Sequence, residues 1–186
     1  MAYTKDQLVE WFDTLGVQAV GYSKKRPVAD GWGDPAPNST QTFFTKQGKP
    51  RNIGWLMGPQ SDGLVDFDLD LDDQYLTDKA AEILRPYQPV FVGRGGWYRH
   101  ALFRYSDRLD TDQKAVRKAQ HPDGGHIEWR RGGTKPDGTY KSTQSFVIGT
   151  HPDTGETLEF MGDTKPLTPE DIPVLAGMIC ALFGSN

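Results

Sequence analysis

The sequence predicts an α+β domain with a mixed, largely antiparallel sheet and helices packed on it. Short apolar runs of strand length recur along the chain, and glycine (21) and proline (13) punctuate its 186 residues. Helical spacing is confined to a few segments, with none of the strand–helix alternation that a doubly wound parallel sheet needs. The length suits one domain with a core of its own.

Thr4 followed by Gln7 has the capping-box pattern, Leu8, Trp11, Phe12 and Leu15 recur at helical spacing, and Gly16 marks the stop. Val17–Tyr22 reads as a strand. Residues 23–52, rich in Lys, Pro, Gly, Asn and Thr, read as a long irregular stretch of the kind that carries function. Strands are expected at Ile53–Met57 and Leu64–Asp70, then a helix over Gln74–Leu84 with Leu76, Ala80, Ile83 and Leu84 for its buried face. Further strands are expected at Pro89–Val92, Arg99–Tyr105, His126–Arg130, Gln144–Ile148 and Thr157–Phe160, with a polar surface helix over Thr111–Ala119. Thr168-Pro169 places a cap and a first-turn proline at the start of a last helix.

Composition narrows the function classes. A net charge of −4 argues against a protein that coats nucleic acid through bulk positive charge, yet it is compatible with a carboxylate site that bound metals neutralise. One cysteine, Cys180, rules out an intrachain disulfide and a multi-cysteine zinc site, and its place in the apolar run Val174–Phe183 marks it as a core residue. Neither a signal-peptide shape nor an apolar run of membrane-spanning length is visible, so a soluble protein of a reducing, cytoplasmic compartment is expected.

The segment Gly63-Leu-Val-Asp-Phe-Asp-Leu-Asp-Leu-Asp-Asp73 carries the most information. In a strand, Asp66, Asp68 and Asp70 line one face while Phe67, Leu69 and Leu71 enter the core on the other. Carboxylates roughly 6–7 Å apart repel, and Asp is a poor strand former, so this concentration of charge calls for a compensating cation. Carboxylate oxygens suit Mg²⁺ or Mn²⁺. The plain alternative is a solvated acidic strand face. An EF-hand loop fails, because its sixth position holds Leu71 rather than Gly and its twelfth Thr77 rather than Glu.

Gly93-Arg-Gly-Gly-Trp-Tyr-Arg-His100 leads into the apolar strand Ala101-Leu-Phe103. With no helix following, it is neither a P-loop nor a dinucleotide fingerprint. Arg94, Arg99 and His100 would supply positive charge suited to phosphate; an ordinary hairpin with a surface histidine is the alternative. His126-Ile-Glu-Trp-Arg130 puts Glu128 on one face with His126 and Arg130, an arrangement that a structural ion pair also explains.

In this order the segments resemble the primase–polymerase domains of the archaeo-eukaryotic primase superfamily, as in phage and plasmid replication proteins. That family shows an Asp-x-Asp strand end, a Gly-rich turn ending in His, and an acidic residue on a later strand. The matching segments here are Asn52-Ile-Gly-Trp-Leu-Met-Gly58, Gly63 to Asp70, Gly93 to His100 and Ile127-Glu-Trp-Arg130. Gln144-Ser-Phe-Val-Ile-Gly-Thr-His-Pro-Asp-Thr-Gly-Glu156 is similar to the family's later serine- or histidine-proline segment, with Ile148-Gly149 where the family has paired prolines. Gly21-Tyr-Ser-Lys-Lys-Arg-Pro27 and Trp32 look like its lysine–proline loop and tryptophan. Asp68 and Asp70 align best as the family pair, and Asp66 with Asp68 is the other choice.

The resemblance implies an RRM-like catalytic core within a single domain over 1–186: an N-terminal part to residue 60, the core over 61–165, and a C-terminal helix over 166–186. It further implies that the chain is a fragment of a longer primase–helicase. The implied activity is template-directed nucleotidyl transfer, priming and extending DNA in phage or plasmid replication in a host cytoplasm. Single-stranded DNA, a primer and NTP or dNTP would be its partners. Two Mg²⁺ or Mn²⁺ ions would be held by Asp66, Asp68, Asp70 and Glu128. His100 and Arg99 would bind the triphosphate, with Arg94 and Arg130 as further candidates, and Lys24, Lys25 and Trp32 would meet nucleic acid. Trp97 and Tyr98 are also available to stack on a base. A metal-dependent nuclease or nicking enzyme, and a non-catalytic nucleic-acid-binding module, are the competing readings.

Overall fold

A computed structural model describes residues 5–32, 40–105, 116–141, 143–162 and 169–170. The elements in chain order are α1 (Lys5–Leu15), β1 (Ala19–Ser23), β2 (Arg26–Pro27), α2 (Thr40–Phe43), β3 (Asn52–Met57), β4 (Leu64–Leu71), α3 (Gln74–Leu84), β5 (Val90–Arg94) and β6 (Trp97–Tyr105). They continue with β7 (Val116–Gln120), β8 (Gly125–Arg130), β9 (Gly133–Thr134), β10 (Tyr140–Lys141), β11 (Thr143–Thr150), β12 (Thr157–Phe160) and β13 (Pro169–Glu170). One large sheet runs β2-β1-β3-β11-β12-β5-β6-β4-β8-β7, and β9 and β10 form a separate hairpin. Every pairing along that path is antiparallel; β13 adds a short parallel pairing to β6. The expected α+β class with a large, mostly antiparallel sheet is what the chain adopts.

Local chemistry explains the boundaries. α1 buries Leu8, Phe12 and Leu15, the one-face spacing of the sequence. It ends where Gly16 takes φ +66° and the Gly16 and Val17 amides donate back to the Asp13 and Phe12 carbonyls at 3.0 Å each, a Schellman closure that needs a left-handed residue. α3 begins at Asp73, whose carboxylate accepts from the Tyr75 amide at 2.6 Å. β5 and β6 are joined by Gly95-Gly96, both at positive φ, as a tight two-residue hairpin turn requires.

Two apolar clusters flank the charged strand β4. Its odd residues Val65, Phe67, Leu69 and Leu71 pack with Ala80, Ala81 and Leu84 of α3 and with Phe103 and Trp129. Phe67 stacks on Trp129 at 6.3 Å and meets Phe103 edge-on at 5.9 Å. The other cluster sets α1 and the β3–β11 residues Ile53, Trp55, Met57 and Val147 against Leu64, Val90, Val92 and Leu102. Each large side chain removed from water there contributes about 1.5–3 kcal/mol. Leu64 and Leu102 share the face of Asp66 and His100, so that face is packed at one end of β4 and charged towards the other.

Two expectations are corrected. The polar helix over Thr111–Ala119 is not what forms at its described end: Val116–Gln120 is an edge strand paired antiparallel to β8, from Val116↔Arg130 to Gln120↔His126. Its polar residues satisfy a strand lying at the sheet's rim, where the ladder with β8 outweighs helix propensity. Pro169–Glu170, expected inside the first turn of a helix, is extended and paired to Arg104 and Tyr105; Thr168, Cys180 and the remainder of that helix lie outside the described residues, as does Thr4. The stretch 23–52 contains β2 and the short α2. Among the described residues no helix is long and apolar enough to cross a membrane.

Candidate active site

β4 lies between β6 and β8, and its register brings the separate motifs together. Asp68 pairs with His100 on one side and with Glu128 on the other. Asp66 pairs with Arg130 and Asp70 with His126 across the β8 side. Side chains directly opposite in adjacent strands project to the same face. The three aspartates, His100, His126, Glu128 and Arg130 therefore occupy one patch of one face.

The three aspartates have different surroundings. Asp66 is wholly buried; its Oδ2 accepts from Ser145 Oγ of β11 and lies 3.0 Å from His100 Nδ1. Its Oδ1 has no hydrogen-bond partner among the described residues. Asp68 is 5% exposed. Its Oδ2 contacts the Arg130 guanidinium and its Oδ1 lies 3.6 Å from His100 Nδ1. Asp70 is half exposed at the mouth, 3.7 Å from His126 Nε2. Glu128 receives two hydrogen bonds from Arg130, at 2.8 and 3.1 Å, and faces His126 at 3.5 Å and Lys118 at 3.9 Å.

Burial sets the electrostatics. It pushes the Asp68 carboxyl up to about 6 from 3.8, against the pull of His100 and Arg130 and with help from Asp66 and Asp70. For His100, burial opposes the charged form, but Asp66 and Asp68 more than offset it and its pKa is raised. Arg130 is treated alike: burial opposes its charge, and Asp68 and Asp66 hold it firmly protonated.

A cavity of about 440 Å³ opens over this patch. Asp68 and Asp70 form its acidic floor, and Arg94, Arg99, His100, Arg130 and Lys25 supply cations. Arg99 also stacks over Trp97 at 4.7 Å and donates to the Leu69 and Leu71 carbonyls, which fixes it at the end of β4. Tyr22, Trp32 and Phe146 add aromatic surface to the same lining.

No family model and no curated protein matches the chain.

Most residues singled out from the sequence meet here. Asp68, Asp70, His100, Arg94, Arg99, Arg130, Lys25 and Trp32 all line the cavity. Glu128 stands beside it, held by Arg130. Asp66 lies beneath the floor, and Lys24 is an exposed turn residue at φ +57°. Trp97 serves Arg99, and Tyr98 packs on Phe91 at 4.9 Å, so neither lines the cavity. Ser145, Tyr22 and Gln144 stand in segments that the resemblance singles out, but the sequence assigns none of them a role. The run Gln144–Ile148 signals a strand, but nothing local reports that it crosses Asp66.

The donor set fits a hard divalent cation in kind: Asp68, Asp70 and Glu128 offer carboxylate oxygens on one face. Arg130 and His126 currently engage those oxygens, and among the described residues no three acidic, histidine or cysteine side chains converge on one point. An ion at this floor competes with Arg130 and His126. Asp66 fits less well, because its Oδ2 is committed to His100 and Ser145.

Because the folded protein binds the Asp68 proton more tightly than the unfolded chain does, this group's contribution to stability is full below about pH 4. It is lost as pH rises through about 6. Asp68→Asn cannot titrate. Urea midpoints of the metal-free protein are therefore expected to shift in favour of the variant, relative to wild type, as pH rises from 4 to 7. A gap that moves the other way contradicts the buried-carboxylate account.

Proposed function

We propose that the protein is a template-directed nucleotidyltransferase of the primase–polymerase kind, with its sheet as the catalytic core. The observation that carries this reading is the register His100↔Asp68↔Glu128. The histidine after the glycine turn, the acidic strand and the later acid are each about thirty residues apart in sequence, yet they stand on adjacent strands, His100 and Asp68 lining one cavity and Glu128 beside it. An acidic floor with cations around it suits a metal–triphosphate, and the aromatic residues of the same lining suit a nucleoside.

Asp68, Asp70 and Glu128 would hold the divalent ions, whose chemistry is to activate the attacking 3′-hydroxyl and neutralise the leaving pyrophosphate. His100 and Arg99 bind and orient the triphosphate, with Arg94 and Arg130 completing its electrostatic cradle. Asp66 fixes the His100 ring through Nδ1 and leaves its other nitrogen for phosphate. Lys25 and Trp32, on the neighbouring rim, are placed to meet a template strand. Replication of phage or plasmid DNA in a host cytoplasm, alongside a helicase domain on a longer polypeptide, is the setting this reading supplies.

Incubation with single-stranded DNA, Mg²⁺ or Mn²⁺ and labelled triphosphates, with and without primer, tests the reading. Triphosphate-dependent product on the template supports it, and DNA cleavage without nucleotides indicates a nuclease instead. His100→Ala is expected to raise the apparent KM for nucleotide about tenfold, the loss of one charge-assisted phosphate contact. An unchanged KM removes His100 from triphosphate binding.

A further inference from the structure

Two of the cations that line the cavity are already paired. Lys25, in the β1–β2 turn, is bound by the Asp153 carboxylate. Arg94, at the end of β5, lies 3.8 Å from Glu156 and donates to Thr154 Oγ1 at 3.4 Å. All these partners stand in one turn, residues 151–156, which joins β11 to β12. Lys25 and Arg94 line the cavity and Asp153 and Glu156 do not, so the acids engage the cations from beyond the lining.

The turn is built to present both acids. The His151 amide donates to the Glu156 carbonyl at 2.7 Å, and the Gly155 amide donates to the His151 carbonyl at 2.9 Å with Gly155 at φ +74°. Inside the turn, the Thr154 amide donates to His151 Nδ1 at 3.3 Å and the Glu156 amide to Thr154 Oγ1 at 3.4 Å. The Glu156 carboxylate reaches the β5–β6 hairpin at Gly95, where a Cβ would stand 2.6 Å from its Oε1; a side chain there would push the acid aside. His151 lines the cavity from the same turn. Burial, Arg94 and Lys25 hold its pKa below the usual imidazole range, so it adds no positive charge of its own at neutral pH.

Cations in a binding cavity attract an anion, yet each of these two is matched by a carboxylate of the chain itself. We propose that the β11–β12 turn is an anionic latch: Asp153 and Glu156 hold Lys25 and Arg94 in the ligand-free protein, and phosphate groups of the ligand displace them on binding. The latch is autoinhibitory. A phosphate reaches either cation only by breaking its ion pair, so the resting affinity for phosphate is lower than the cations alone would give. The Asp153 and Glu156 side chains are 65% and 46% exposed, so both pairs are screened by solvent and exchange readily. The proposal rests on the phosphate-binding reading above, with a triphosphate on Arg94 and a template strand at Lys25, and adds the regulation of that site.

Calorimetric titration of the whole chain, in Mg²⁺ and about 0.15 M salt, with inorganic tripolyphosphate and separately with a single-stranded oligothymidylate tests this. Glu156→Gln is expected to bind tripolyphosphate about threefold more tightly than wild type, and Asp153→Asn the oligonucleotide about threefold more tightly, the worth of one exposed ion pair. A gain of Asp153→Asn on tripolyphosphate instead supports the latch and assigns Lys25 to the triphosphate. Each gain should vanish once the partner cation is removed, in Lys25→Met for Asp153→Asn and in Arg94→Met for Glu156→Gln, because a latch acts only through its cation. Should Arg94→Met fail to fold, the cycle on the exposed Lys25 decides alone. Wild-type affinity in both acid variants, or gains that persist without the cations, overturn the latch and leave the phosphate-binding reading standing. If neither anion binds wild type or any variant, the latch and the phosphate-binding reading both fail.

Discussion

Asp68→Ala and Asp70→Ala are each expected to reduce nucleotide incorporation on a single-stranded template to the level of a reaction without protein, while the fold survives. Asp68 sits at the centre of the ladder, between His100 and Glu128, with Arg130 and His100 at its two oxygens. Removing it deletes a carboxylate from the floor and leaves an excess of positive charge beside it. Asp70 is the exposed end of the same row, where an ion entering from solvent first meets a carboxylate. Glu128 remains bonded to Arg130 in both variants, so the cation is not left without a carboxylate. Circular dichroism and a cooperative thermal transition check the fold, and labelled-nucleotide incorporation checks the activity. Wild-type-like synthesis by both variants refutes the assignment of the floor.

Arg104→Met is expected to lower stability by about 2–4 kcal/mol, the cost of buried carbonyls losing their donor, read as a fall in the urea midpoint. Arg104 is 5% exposed on β6 and binds two other parts of the chain. One nitrogen donates to the Leu15 and Gly16 carbonyls at 2.7 and 3.2 Å, closing the end of α1. The other donates to the Ser61 and Asp62 carbonyls at 3.2 Å each and to the Asp62 carboxylate at 2.8 Å. Methionine fills similar space and leaves these carbonyls to lose their donor in a packed interior, where unpaired groups are costly. The Asp62 carboxylate is exposed and contributes little of the total. A loss below about 1 kcal/mol would show that water replaces the guanidinium without penalty.

The sequence made the strongest elements legible because local pattern and tertiary demand agree in them. The Lys5–Leu15 helix carries one apolar face and a glycine stop. The Gln74–Leu84 helix forms as expected but buries Thr77 and Ala81 with Ala80 and Leu84, while Leu76 and Ile83 stay half-buried. The alternation in Leu64–Leu71 reflects a strand with a core on one side and charge on the other. The edge strand Val116–Gln120 was illegible because its polar residues have no face of their own; β8 supplies the ladder that makes it a strand. Within the site, the alternation presents Asp66, Asp68 and Asp70 as equals. What separates them is non-local: Ser145 from β11 and His100 from β6 close over Asp66, while Asp70 stays half exposed beside His126. Tyr22 and Gln144 fall in segments that the resemblance singles out, but only the fold brings them to one cavity lining.

The central claim is that the acidic floor binds divalent cations together with a triphosphate, and electron paramagnetic resonance of Mn²⁺ addresses it most directly. Adding the protein to Mn²⁺ should quench the free-ion signal, adding a nucleoside triphosphate should quench it beyond the sum of what protein and triphosphate each do alone, and Asp68→Asn combined with Asp70→Asn should abolish the protein's share. Quenching by the double variant equal to that of wild type would contradict the account.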